Sequence, residues 1–393
     1  MIMTSTHRFP RGSACIVGAF ESPRRKAPGI HPYQIHAEVI AEALSDAGLT
    51  VADVDGFATA ASFPSEAGWQ MNALEVAEYV GLRPGWIDST DIGGASTLSH
   101  VGHAMAAIAA GLCEVVVISY ASSGRSWPLP APDFNTGPTG PGQFEVPYGM
   151  STISAYALAA TRYMHDFGLK PEELAQIAVQ ARTYAGRNPH AMYRDPLTVD
   201  AVLASPMISS PLHRLDCCVV SDSGGAIVVT SRERARDTRR SGPAVLGFGE
   251  AAGQMQMNQM VDMTTTAAAH SGRRAFASAG LGPQDIRVAQ IYDSFTITVA
   301  LTLEALGFVP RGEVGAFIAS GGIGPDGRLP INTDGGGLSS NHSGRRGMYA
   351  VIEGVRQLRG ESPGFQLASP ELCLVNGTGG WLSATATLIL GEA

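Results

Sequence analysis

The sequence predicts an α/β protein built from two similar halves, and three observations carry that prediction. Short apolar runs that suit buried strands open two stretches, ACIVGAF at residues 14–20 and PAVLGFGEAAG at residues 243–253. Each is followed by an amphipathic helix that stops at Ala-Gly-Leu, in AEALSDAGLTVADVDGFA (41–58) and RRAFASAGLGPQDIRVAQIYDSF (273–295), as expected of glycine just past a helix end. Each half then carries a glycine turn opening a helix, IGGASTLSHVGHAMAAIAAGLCEVVVISYA (92–121) and DGGGLSSNHSGRRGMYAVIEGVRQLRG (334–360). Both close on a glycine signal leading to an apolar strand, SDSGGAIVVT (221–230) and NGTGGWLSATATLIL (376–390). The halves divide at 1–242 and 243–393, and the alternation of strands and helices predicts layers with mostly parallel sheets.

One region breaks the duplication. WPLPAPDFNTGPTGPGQFEVPYG (127–149) is rich in Pro and Gly and reads as an irregular excursion, with helical stretches following near 154–167 and 171–187. A loop domain at about 122–215 is therefore expected inside the first half, with the excursion bordering an entrance or a dimer contact.

Composition excludes several classes. At 393 residues, 45% hydrophobic and 16% charged, the chain is long enough for two packed cores and too apolar to be disordered. A net charge of −8 and the absence of a strongly basic domain argue against a nucleic-acid partner. The apolar runs end well before the roughly 20 residues of a membrane span. The start, MIMTSTHRFP, lacks an apolar signal core, so a cytoplasmic location is expected. The five cysteines form no CxxC pair and no metal-ligand cluster, so neither a disulfide framework nor a bound metal is expected.

The order and spacing of DIGGASTLSHVGHAMAAIAAGLCEVVVI, LDCCVVSDSGGAIVV, IYDSFTI, LPINTDGGGLSSNHSGRRGMY and NGTGGWLSATATLIL resemble the thiolase superfamily, and within it the sterol-carrier-protein X or lipid-transfer-protein type. The resemblance covers nearly the whole chain. It implies a thiolase-like duplicated αβαβα five-layered fold with the loop domain inserted, a homodimer, and coenzyme A thioesters as substrates without a bound cofactor. Some relatives of this type that lack the acylated cysteine are similar to side-chain aldolases of steroid degradation, which work with a small zinc-ribbon/OB-fold partner.

Position by position, the resemblance places the acylated cysteine of true thiolases at Gly94, so the nucleophile is missing. Tyr292 stands where an Asn or His holds the thioester oxygen or a water. Asn341 and His342 match the Gly-His-Pro stretch, which keeps the histidine, although side-chain aldolases show a tyrosine there. Val375 or Asn376 replaces the second cysteine.

Tyr292 and His342 are thus the candidate acid and base, with Gly94, Gly379 and Gly380 as backbone donors to an oxyanion. Other candidates carry weaker signals. Ser96 is a substitute nucleophile or, preferably, a capping serine, and Asp293 is read as the cap of the helix that follows it. Asn332 holds its turn or contacts the site, Cys373 reads as a core cysteine, and His100 and His103 as packed or solvated side chains. This set suits retro-aldol cleavage of a β-hydroxyacyl-CoA, which needs no covalent acyl-enzyme. An acyltransferase with a substitute nucleophile and a non-catalytic acyl-CoA carrier or structural subunit are the alternatives. A cysteine placed at Gly94 is expected to restore a thiolase-like sulfur at the helix start.

Overall fold

Both Ala-Gly-Leu stretches stop their helices through a left-handed glycine. Gly48 has φ +73° and Gly280 φ +66°, and each returns its N–H to carbonyls of the last turn. A side chain at either position would be strained, so glycine is the residue that lets the chain reverse there.

The computed structural model describes residues 10–62, 71–127 and 141–392. Its strands are β1 (Ala14–Glu21), β2 (Gly56–Thr59), β3 (Trp86–Asp88), β4 (Val115–Ser122), β5 (Met207–Ser209), β6 (Leu212–His213), β7 (Ser223–Ser231), β8 (Ala244–Ala252), β9 (Val288–Ile291), β10 (Leu372–Gly379) and β11 (Ala384–Gly391). The helices are α1 (Pro32–Ala47), α2 (Asn72–Val80), α3 (Ser96–Ala109), α4 (Thr152–Phe167), α5 (Pro171–Ala185), α6 (Val199–Leu203), α7 (Ala268–Ala279), α8 (Thr296–Ala305), α9 (Val314–Ala319) and α10 (Gly347–Arg359).

Strand order makes the duplication visible. The main sheet runs β3-β2-β4-β7-β1-β8-β11-β10-β9. Reading outward from the β1/β8 seam, β1-β7-β4-β2 mirrors β8-β11-β10-β9, and the seam itself is a single registered pair, Cys15 with Ala244. The expectation of mostly parallel sheets is corrected. Only β2–β3, β2–β4 and β9–β10 are parallel, whereas β1–β7, β4–β7, β8–β11 and β10–β11 run antiparallel. The reason is that the closing strand of each half returns beside its neighbour; β10 and β11 do so through a tight turn at Gly380, where no crossover helix is needed.

The helices complete five layers. α1 packs on β1, β7 and β4, and α7 on β8 and β11, so each covers an outer face. The buried positions of α7 (Ala268, Ser271, Gly272, Ala275, Phe276, Ala279) follow the three-and-four spacing of a helix with one apolar face. α3 and α10 form the middle layer, packed on each other and on strands of both halves. They are buried nearly all round, with Leu98, Val101 and Met105 meeting Met348, Val351 and Ile352 in one core.

Between β4 and β7 lie α4, α5, α6 and the β5–β6 ribbon. α5 supports the turn at residues 336–340: Arg182 Nε donates to Ser339 Oγ at 2.9 Å, and just beyond the helix Asn188 Nδ2 donates to the Asp334 carbonyl at 2.9 Å. The Pro/Gly excursion falls largely on residues 128–140, outside the described residues, and so does its expected role at an entrance or dimer contact. Among the described residues no helix is long and apolar enough to cross a membrane, and no cluster of His, Cys, Asp or Glu is arranged to hold a metal ion.

Candidate active site

Tyr292 directly follows β9, and its backbone N–H donates to the Asn376 carbonyl on β10, 3.0 Å away, which fixes where the side chain leaves the sheet. The ring is 4% exposed. Its hydroxyl lies 2.9 Å from His342 Nε2 and 3.3 Å from the Gly344 carbonyl, with the two rings edge to face at 5.6 Å. When the phenol donates to Nε2, the imidazole carries its own proton on Nδ1.

Burial sets the protonation of both groups. It raises the Tyr292 phenol well above its usual value, with the Cys218 thiol adding to the effect. It lowers His342 to about 4, helped by the positive charge of Arg346. At neutral pH the pair is therefore a protonated phenol and a neutral imidazole, one proton donor facing one acceptor.

Gly94 meets the same ring from the other side. A β-carbon built there overlaps Tyr292 Cε2 and the Thr378 carbonyl oxygen and comes within 2.5 Å of Tyr292 Cζ. The phenol fills the space in front of the helix start that a larger residue would need. This overturns the expectation for a cysteine at position 94, whose β-carbon alone collides with both ring and backbone. Gly379 is packed as tightly, since a β-carbon on it would overlap the Ile92 carbonyl, and Gly380 takes φ +61°. The loops at 92–94 and 378–380 thus touch through backbone alone.

Ser96 is committed to the turn. Its Oγ donates to the Gly93 carbonyl at 2.7 Å and accepts from the Ile92 N–H at 2.9 Å. Asp293 does not cap its own helix, as α8 starts at Thr296 behind Phe295 with no side-chain cap. Its carboxylate instead accepts from the Gly337 and Leu338 N–H groups at 2.7 and 3.1 Å, because the chain at 293 is fully buried against that turn. Burial pushes this carboxyl up to about 6, against the pull of Arg346.

Asn332 adopts φ +51° and accepts from the Ile291 N–H through Oδ1, so it holds the turn to the strand. Asn341 is buried, taking a bond from Ser221 Oγ and giving one to Glu21 Oε1. Ser221 Oγ also accepts from the His342 N–H at 3.0 Å. Cys373 lies within β10 and is fully buried, which raises its thiol; it faces Gly354 of α10, away from the Tyr292–His342 pair. His100 Nε2 meets the Thr90 carbonyl at 2.8 Å, and His103 lies between Asp88 and Glu250.

The structure therefore brings Tyr292, His342 and Gly94 into contact and leaves Cys373 and Asn332 as parts of the scaffold. Sequence reasoning missed Arg346 and Ser221, which hold the His342 segment. A double arginine inside the otherwise apolar SGRRGMYAVI was the available signal for Arg346. Two surface clefts lie elsewhere, one of about 440 Å³ beside Trp86 and His103 and one of about 1380 Å³ lined by Arg236, Arg239 and Glu371. The site is recognised by its chemistry.

Comparison with known proteins adds a second line of evidence. Residues 249–392 match the family model described as thiolase C-terminal domain-like. The chain is 36% identical to 17-hydroxy-3-oxo-4-pregnene-20-carboxyl-CoA lyase of Mycobacterium tuberculosis (strain ATCC 25618 / H37Rv), over 97% of this chain and 99% of that one. It is 34% identical to a steroid side-chain-cleaving aldolase of Thermomonospora curvata, over 97% and 98%. The solved Ltp2-ChsH2(DUF35) aldolase superposes with a TM-score of 0.87 at 34% identity, covering 97% of this chain and 98% of that chain.

Proposed function

The chain belongs to the thiolase superfamily, in its sterol-carrier-protein-2-like branch, and from that premise we propose that it is a lyase cleaving β-hydroxyacyl-CoA thioesters by a retro-aldol reaction. The observation that carries this reading is the 2.9 Å contact between the Tyr292 hydroxyl and His342 Nε2, set against a helix start that has room for no nucleophile.

The proton inventory closes within the pair. The phenol passes its proton to Nε2 of the neutral imidazole as its oxygen takes up the proton of the β-hydroxyl, the C–O bond becomes a carbonyl, and the Cα–Cβ bond breaks with its electrons passing into the thioester enolate. This reading assigns the enolate oxygen to backbone N–H groups among Gly94, Gly379 and Gly380. The phenol then delivers its proton to Cα and regains one from the imidazolium across their hydrogen bond. The products are a ketone or aldehyde and a shortened acyl-CoA, with no co-reactant consumed.

The lyase and aldolase named above support a steroid acyl-CoA as the substrate class, and the Ltp2-ChsH2(DUF35) aldolase supports a zinc-ribbon/OB-fold partner of the DUF35 type. The working unit is read as a homodimer of this chain together with that partner. Ser96, with both sides of its hydroxyl engaged in the turn, offers little to the acyltransferase alternative.

The test is to supply 17-hydroxy-3-oxo-4-pregnene-20-carboxyl-CoA to the chain, alone and with a DUF35-type protein. Formation of the ketone and the shortened thioester, with no acyl adduct in the intact-protein mass, is the expected result. Tight binding without turnover in both mixtures would instead identify a carrier.

A further inference from the structure

One side chain outside the reacting pair grips the residue next to each of its members. Arg346 is fully buried. Its Nη1 donates to the carbonyl of Asn341, the residue before His342, at 3.1 Å. Its Nε lies 3.0 Å from Oδ1 of Asp293, the residue after Tyr292, as an ion pair out of line for a hydrogen bond. Nη2 donates to Asp334 Oδ1 at 2.6 Å, in the turn between them.

Two acceptors of the 334–341 turn and a carboxylate from the end of β9 thus converge on one planar group. Only a guanidinium offers donors in such a fixed fork, and a lysine in its place is a point charge on a flexible stem. A buried ion pair is weak evidence for stability, because removing the charges from water offsets most of their attraction. Fixed geometry is the better account of a charge in this place. Reaction geometry is sensitive to such fixing, since displacing reacting groups by about 1 Å can cost on the order of 100-fold in rate.

We propose that Arg346 is the positioning residue of the reaction, holding Tyr292 and His342 at hydrogen-bonding distance by clamping the residue beside each. This rests on the lyase reading above. The guanidinium touches neither reacting group and acts through Asp293 and Asn341, while the backbone N–H of Arg346 lies against the Tyr292 hydroxyl.

The test is a double-mutant cycle on the whole protein with its β-hydroxyacyl-CoA substrate. Arg346→Lys keeps the charge and loses the fork, and should lower kcat by about 10- to 100-fold with KM changed less than about threefold. In a His342→Ala background the same substitution should cost less than about twofold, because the pair it positions is already gone. An unchanged kcat in Arg346→Lys, or a loss that multiplies in full with that of His342→Ala, overturns the proposal. If His342→Ala alone leaves kcat intact, the lyase reading itself has failed, an outcome distinct from the other two. Should Arg346→Lys not fold, Asp293→Asn carries the same cycle, since it weakens the clamp while preserving the shape of the side chain.

Discussion

Gly94 and Tyr292 form one steric unit, because the ring occupies the space that any side chain at 94 would enter. Gly94→Ala should therefore displace the phenol and lower kcat about as much as Tyr292→Phe, on the order of 10² to 10⁴, while overpacking costs about 1–3 kcal/mol in a denaturation experiment. A variant with near-normal turnover would show that the ring has another place to go. Ser96→Ala should leave kcat within a few-fold and cost about 1–3 kcal/mol, because the Ile92 N–H loses its acceptor and the turn loses a brace. Much of this site was legible in the sequence: the motif order located Gly94, Tyr292 and His342 near one another across some 250 residues. The collision at position 94 was not, because it depends on which way a ring turns once β9 and β10 are paired. Nor was the role of Asp293, whose N–H donors lie more than forty residues further along the chain.

Among the elements, α10 carries the most consequence, since it forms half of the middle layer and begins five residues after His342. Ile352 on this helix is fully buried in the central core. Ile352→Ala should cost about 2–5 kcal/mol of stability, read by urea denaturation, with the spread set by how far the cavity can collapse. A cost under about 1 kcal/mol would mean that the middle layer is not tightly packed. Helix positions and their glycine stops could be read from the sequence because both are local, as the left-handed Gly48 and Gly280 illustrate. Strand direction could not. Apolar runs look alike whichever way they are paired, so the antiparallel return of β7 and β11 becomes visible only when the sheet is assembled.

At the scale of the molecule, the halves are joined by the middle helices, by the short β1–β8 seam and by a charged bridge. His103 on α3 lies 2.7 Å from Asp88 on β3 and 3.4 Å from Glu250 on β8, and hydrogen bonding to those two carboxylates raises it to about 9. A histidine raised on folding contributes stability that is fully present below its unfolded value near 6.5 and is lost as pH rises through about 9. His103→Gln should accordingly destabilise the protein most below pH 6.5, and the gap from the wild type should close toward pH 9; a gap independent of pH would assign His103 a packing role only. The account as a whole stands on the phenol and imidazole acting as one proton relay. Its most direct test is the kcat of Tyr292→Phe, His342→Ala and the double variant on a β-hydroxyacyl-CoA. Each single change should lower kcat by on the order of 10² to 10⁴ without a trapped acyl-enzyme, and the double variant should be little worse than the worse single one. Near wild-type turnover in either single variant, or an acyl adduct that vanishes with Ser96→Ala, would contradict the account.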